Sequence, residues 1–136
     1  MWPRVDGLRA LELGTPGGLR EELNGLVLSG QKRATAGLLL EYAHEGEALE
    51  HVGELLALLD DDGRALATIE VTDVQVHRFA DVTWELPAAE GEDHEDLEQW
   101  RVGHQGYWAA QATPVDDDTQ VVCLRFVVSC RTGPGG

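Results

Sequence analysis

Leu55-Leu56-Ala57-Leu58-Leu59-Asp60-Asp61-Asp62-Gly63-Arg64-Ala65-Leu66-Ala67-Thr68-Ile69-Glu70-Val71-Thr72-Asp73-Val74-Gln75-Val76 is the stretch on which the fold turns. Asp61-Asp62-Gly63 between two apolar runs is a hairpin signal, so Leu55–Asp60 and Ala65–Val71 are expected as paired antiparallel strands. The second run changes parity. Ile69 and Val71 are apolar at odd positions, Val74 and Val76 at even ones. A regular strand cannot keep both sets on one face, which predicts a bulge or bend near Thr72-Asp73.

Working outward, an acidic stretch from Glu85 to Asp96 precedes a helical pattern through Leu97, Trp100, His104, Tyr107 and Trp108. Asp96 with Gln99 resembles a capping box at its start. Val121–Ser129 is strongly β-prone. On the amino-terminal side, Thr15-Pro16 reads as a helix start, or a start nearer Leu19 because Gly17 and Gly18 weaken the first turn. Leu19, Leu23, Leu26 and Val27 form its apolar face, and Gly30 suits its left-handed end. Ala34–Tyr42 is expected to be extended. The sum is an α+β domain with two main helices and one mostly antiparallel sheet, curled into a β-barrel by its bulge. Residues 1–131 are assigned to a single domain and 132–136 to a flexible tail.

The chain has 136 residues, with 10 Lys and Arg against 25 Asp and Glu, for a formal charge of −15. Such a charge excludes a basic clamp for long nucleic-acid duplexes. A small ligand, or a short single-stranded RNA held in a local pocket, is compatible with it. Every basic residue is arginine except Lys32. No apolar run reaches the ~20 residues of a membrane helix, and the start does not read as a signal peptide. Cys123 and Cys130 read as reduced thiols, so a cytoplasmic location without membrane partners is expected.

Three blocks in order narrow the reading further. They are Gly30-Gln31-Lys32-Arg33-Ala34-Thr35, Val52-Gly53-Glu54, and Glu90-Gly91-Glu92 followed by Leu97, Trp100-Arg101 and His104. With the closing Val122-Cys123-Leu124-Arg125-Phe126, they resemble the ASCH-domain family from about Leu19 to Val128. That resemblance implies a PUA-like barrel fold and RNA-related ligands. Two hydrolytic activities go with it: deacylation of a nucleoside such as acetylcytidine, and cleavage of single-stranded RNA. This sequence departs from the family pattern at Asp93, His94 and Asp96, and carries Gly37 where some members have arginine.

On this resemblance Lys32, Thr35 and Glu90 are the candidate catalytic residues. Thr35 would attack an amide carbonyl, Lys32 would act as base, and Glu90 would protonate the departing amine. In a regular strand residues 32 and 35 face opposite sides, so their convergence requires a non-extended turn after Gly30. Arg33, Glu92, Trp100, Arg101 and His104 are candidate ligand contacts. Trp84, Trp100, Tyr107 and Trp108 have two readings, as stacking platforms for a base or as core. His94 and His104 with Glu90 offer zinc-type donors without a compact metal motif. No cofactor is expected for the hydrolase, whereas the ribonuclease would use a divalent metal. A non-catalytic nucleoside- or RNA-binding module is the third reading.

Overall fold

The computed structural model describes residues 1–131; the expected tail at 132–136 lies outside the described residues. Six strands form one sheet in the order β1-β2-β4-β5-β6-β3. They are β1 (Arg4–Val5), β2 (Leu8–Leu11), β3 (Ala34–Leu38), β4 (Leu55–Leu59), β5 (Ala65–Arg78) and β6 (Gln120–Arg131). Only β2 and β4 run parallel. The helices are α1 (Leu19–Leu28), α2 (Leu39–Glu45), α3 (Glu85–Glu90) and α4 (Leu97–Ala110), with a 3-10 turn at Phe79–Asp81.

The hairpin between β4 and β5 forms as expected. Asp60 N–H donates to Arg64 O, and the Asp60 carboxylate accepts from the backbone N–H groups of Asp62 and Arg64. The bulge falls at the parity change. Val71 pairs with Phe126 and Asp73 with Arg125, leaving Thr72 as the extra residue. Its effect is to keep one face apolar. Ile69, Val71 and Phe126 pack under Leu23 and Val27 of α1, while Val74 and Val76 join Val122 and Leu124 beneath Tyr42 of α2. Without the extra residue Val74 and Val76 would turn to the other face; both are half-buried, so each would forfeit less than the roughly 1.5–3 kcal/mol of a fully buried side chain. The opposite face of β6 presents Val121 and Cys123 to Trp100 and Trp108 of α4 and Leu86 and Ala89 of α3.

Three expectations are corrected. The sheet does not close into a barrel, because its edge strands β1 and β3 do not pair. Gly14, at a left-handed φ of 55°, turns the chain after β2, and Tyr107 and Trp108 of α4 share a cleft with Leu13-Gly14 and Thr35-Ala36. Next, Ala34–Tyr42 is not one extended run: β3 ends at Leu38 and α2 begins at Leu39. Leu39-Leu40-Glu41 are good helix formers, and Gly46 caps the end in the left-handed region at φ 65°. The acidic stretch, lastly, contains α3, whose final residue is Glu90.

Both long helices start and stop by local chemistry. α1 begins at Leu19 rather than Thr15, after Gly17 and Gly18 at positive φ, and Gly30 N–H bonds back to Val27 O. At α4 the Asp96 carboxylate accepts from Gln99 N–H at 2.8 Å, while the Gln99 side chain accepts from Glu95 N–H at 2.9 Å. Removing such a cap costs about 1 kcal/mol.

Candidate functional site

Lys32 lies before β3 begins, in the turn that closes α1, where its N–H donates to Leu26 O. The non-extended segment required after Gly30 is present. A second set of bonds ties this turn to the end of α3. Arg33 N–H donates to Ala89 O at 2.7 Å, and the Gln31 side chain donates to Gly91 O at 2.8 Å. Gly91 is required twice over. Its φ is 64°, and a Cβ there would stand 2.2 Å from Gln31 O. The close approach of these two turns sets Lys32 against Glu90, 58 residues later.

The result is a buried charge cluster. Lys32 Nζ donates to Glu90 Oε2 at 3.3 Å and to Glu92 Oε2 at 2.5 Å. The Lys32 and Glu90 side chains are 1% and 2% exposed, and Glu92 is 20% exposed. Trp100 Nε1–H donates to the other Glu90 oxygen. His104 Nδ1 lies 3.0 Å from Trp100 O. A carbonyl only accepts, so this nitrogen carries the hydrogen. Its Nε2 stands 3.7 Å from Glu90 Oε1, where only the imidazolium can offer a proton. Burial by itself pushes the Glu90 carboxyl upward. The His104 hydrogen bond, the charges of Lys32 and His104, and the Trp100 N–H outweigh it and hold the group well below the usual carboxylate range.

A cavity of about 190 Å³ opens beside this cluster, lined by Lys32, Thr35, Glu90, Glu92, His94 and His104, among others. Its remaining wall includes Leu13-Gly14, which Arg20 fastens to α1 by donating to Leu13 O and Gly14 O. Lys32, Thr35 and Glu90 thus face one chamber. No hydrogen bond joins Lys32 to the Thr35 hydroxyl among the described residues. Asp93, beside Glu92, sits at a φ of 64°, a conformation Asp tolerates better than most residues.

Not all candidate contacts reach this chamber. Glu92 and His104 line it. Trp100 is fully buried beneath it, bonded to Glu90 and stacked on Phe79 and His104, so its role here is to position. Arg33 is exposed and lines a separate cavity of about 630 Å³ with Asp73, His77 and Arg125. Arg33 and Lys32, adjacent in the chain, therefore face different cavities. Arg101 is spent on Ala80 O, joining α4 to the 3-10 turn. Of the aromatic residues, Trp108 is core, Tyr107 is half-buried at the chamber wall, and Trp84 is exposed outside it. The sequence reading missed the Gln31–Gly91 fastening, although Gly91 signalled it.

Residues 11–129 match the sequence model of the ASCH domain. The chain belongs to the ASCH domain family. The ASCH domain from Lactobacillus crispatus JV V101 is similar at 25% identity and a TM-score of 0.77, covering 90% of this chain and 79% of that one. A protein from Enterococcus faecalis V583 is similar at 28% identity and a TM-score of 0.77, covering 88% and 75%. A point mutant of an ASCH protein from Zymomonas mobilis shares the fold alone at 8% identity and a TM-score of 0.52, covering 79% and 63%. No curated protein matches the sequence. Among the described residues, no helix of this ASCH domain is long and apolar enough to cross a membrane.

Proposed function

We propose that this ASCH domain hydrolyses the amide of an acylated nucleoside of the acetylcytidine type. The observation that carries the reading is that Lys32, Thr35 and Glu90 line one small chamber, with the Lys32–Glu90 pair buried. An ion pair and its neutral form, amine plus carboxylic acid, differ by one proton moved across 3.3 Å. The resting site holds Glu90 ionised. A bound substrate that displaces Glu92 and excludes water weakens the support for charge, and the proton then passes from Lys32 to Glu90 to give the neutral form. In that form Lys32 takes the Thr35 hydroxyl proton as the oxygen attacks the acyl carbon. Glu90 delivers its proton to the departing nitrogen, the C–N bond breaks, and the acyl group remains on Thr35 as an ester. Water then attacks the ester, its proton passing to Glu90, while Lys32 returns a proton to the Thr35 oxygen. Glu92, the more exposed partner, is the carboxylate a ligand displaces so that Lys32 can turn to Thr35.

Acetate release from acetylcytidine by the purified chain tests this, with Thr35→Val as the near-isosteric control. Turnover by the wild type and none by Thr35→Val is the expected result. Absence of turnover with acetylcytidine and related acylated nucleosides refutes the reaction. One observation favours a second reading, a nucleoside-binding module without catalysis: Lys32 Nζ donates to two carboxylates and to no hydroxyl. Saturable binding without product would establish it. For a metal-assisted ribonuclease acting on short RNA the donor geometry gives no support, since the described residues contain no group of three His, Cys, Asp or Glu side chains suited to a metal.

A further inference from the structure

Five polar or charged side chains are buried among the described residues: Arg20, Asn24, Lys32, Glu50 and Glu90. Arg20 and Asn24 are spent on backbone carbonyls, and Lys32 and Glu90 on each other. Glu50 stands apart. It is 7% exposed, lies in the loop between α2 and β4, and has no cation within ion-pair distance among the described residues. Its hydrogen-bonding side chain is Tyr42, whose hydroxyl donates to Oε1 at 2.7 Å. Tyr42 is held in turn by edge contact with Trp2, ring centroids 4.7 Å apart. Burial pushes the Glu50 carboxyl upward, against the hydrogen bonds from Tyr42 and its own backbone. A buried carboxylate that neither pairs with a cation nor serves the reaction calls for a ligand.

Glu50 lines a second cavity, of about 440 Å³, which adjoins the chamber at Lys32. Leu13, Gly14, Thr35, Ala36, Tyr107 and Trp108 border both. Small-molecule sites usually enclose roughly 300–1,000 Å³, and the inner chamber alone falls short of that at about 190 Å³. A ligand that reaches Lys32 and is larger than the chamber therefore extends past Thr35 toward Glu50. There the cavity lining carries Glu12 and Glu41 beside Glu50 and neither Lys nor Arg, while Arg9 acts on Glu50 and Arg20 pairs with Glu12 from outside the lining. Hydroxyl groups can donate to a carboxylate with lone pairs to spare. Phosphate would meet three lining carboxylates and no lining cation.

We propose that Glu50, held by Tyr42, is a specificity-determining residue that accepts hydrogen bonds from the hydroxyls of an unphosphorylated sugar, making the ligand a free nucleoside rather than a nucleotide or an RNA chain. The proposal rests on the amide-hydrolase reading above and deepens it. The test compares wild type, Glu50→Gln and Tyr42→Phe on three substrates: acetylcytidine, acetylcytosine lacking the sugar, and acetylcytidine 5′-monophosphate. Glu50→Gln should raise KM for acetylcytidine roughly ten- to hundredfold, the size of a hydrogen bond to a charged group. Its kcat, and its kinetics on acetylcytosine, should stay unchanged. Tyr42→Phe should follow with a smaller rise, and wild type should favour the nucleoside over its monophosphate. An equal loss on nucleoside and free base marks a purely structural role and overturns the proposal. So does equal wild-type kcat/KM for nucleoside and monophosphate. If wild type binds acetylcytidine without turnover, the hydrolase reading fails, and the same comparison is read in Kd from tryptophan fluorescence. Binding of none of the three overturns both.

Discussion

Replacing Lys32 with methionine removes the cation and keeps a stem of similar shape, which isolates what the buried pair contributes. At 3.3 Å and an effective dielectric of about 20, the Lys32–Glu90 attraction is about 5 kcal/mol. Breaking a buried pair from one side typically costs about 3–5 kcal/mol, because the remaining charge is left without its partner. His104 and the Trp100 N–H still face Glu90 in Lys32→Met, which places the expected loss nearer about 3 kcal/mol. For a chain of 136 residues that corresponds to a fall in Tm of roughly 10 °C. Glu90→Gln should cost a comparable amount, since it leaves the ammonium with Glu92 alone. The double variant should cost clearly less than the two losses added, giving a coupling of about 2 kcal/mol or more. Urea unfolding followed by fluorescence of the buried Trp100 and Trp108 measures all four corners. Additive losses below about 1 kcal/mol each, as for a solvated surface pair, would refute the buried cluster and the proton hop built on it.

Gly91→Ala forces a Cβ to within 2.2 Å of Gln31 O at a φ of 64°. It should cost about 3 kcal/mol or more in thermal unfolding, and acetate release should disappear as the two turns separate. Arg33→Ala, by contrast, should leave KM for acetylcytidine unchanged, because Arg33 lines the cavity on the other side of the segment. The pH dependence has a defined sign. Glu90 is depressed from 4.5 to about 2, so its stabilisation is present above pH 4.5 and lost as pH falls toward 2. The stability gap between wild type and Glu90→Gln should narrow over that window in acid titrations. Glu50 is shifted the opposite way, so Glu50→Gln should gain on wild type as pH rises above 4.5.

The bulge, the two long helices and the Asp96 cap were all legible, because each is written within a few consecutive residues. Val71-Thr72-Asp73-Val74 encodes its own parity change, and Asp96 needs only Gln99. The open sheet was not legible. Whether the sheet edges at β1 and β3 meet depends on how the whole chain packs, and β1 and β3 are separated in sequence by β2 and α1. That Arg33 and Arg101 lie away from the chamber was not legible for a related reason, since spacing says that a guanidinium is near a motif but not which side it faces.

The same division holds for the site. Sequence alone singled out Lys32, as the one lysine heading a recognisable motif, and named Thr35 and Glu90 as its companions by resemblance. The solitary lysine and the charge of −15 needed no coordinates. Burial of that lysine against two carboxylates, the adjoining cavity and the place of Glu50 in its wall were decided by tertiary structure. The buried pair arises where the turn after α1 meets the end of α3 across 58 residues of chain, and Glu50 reaches its cavity from the loop between α2 and β4. Contacts at that separation depend on how sheet, helices and loops pack together, and no local pattern of residue types carries that information.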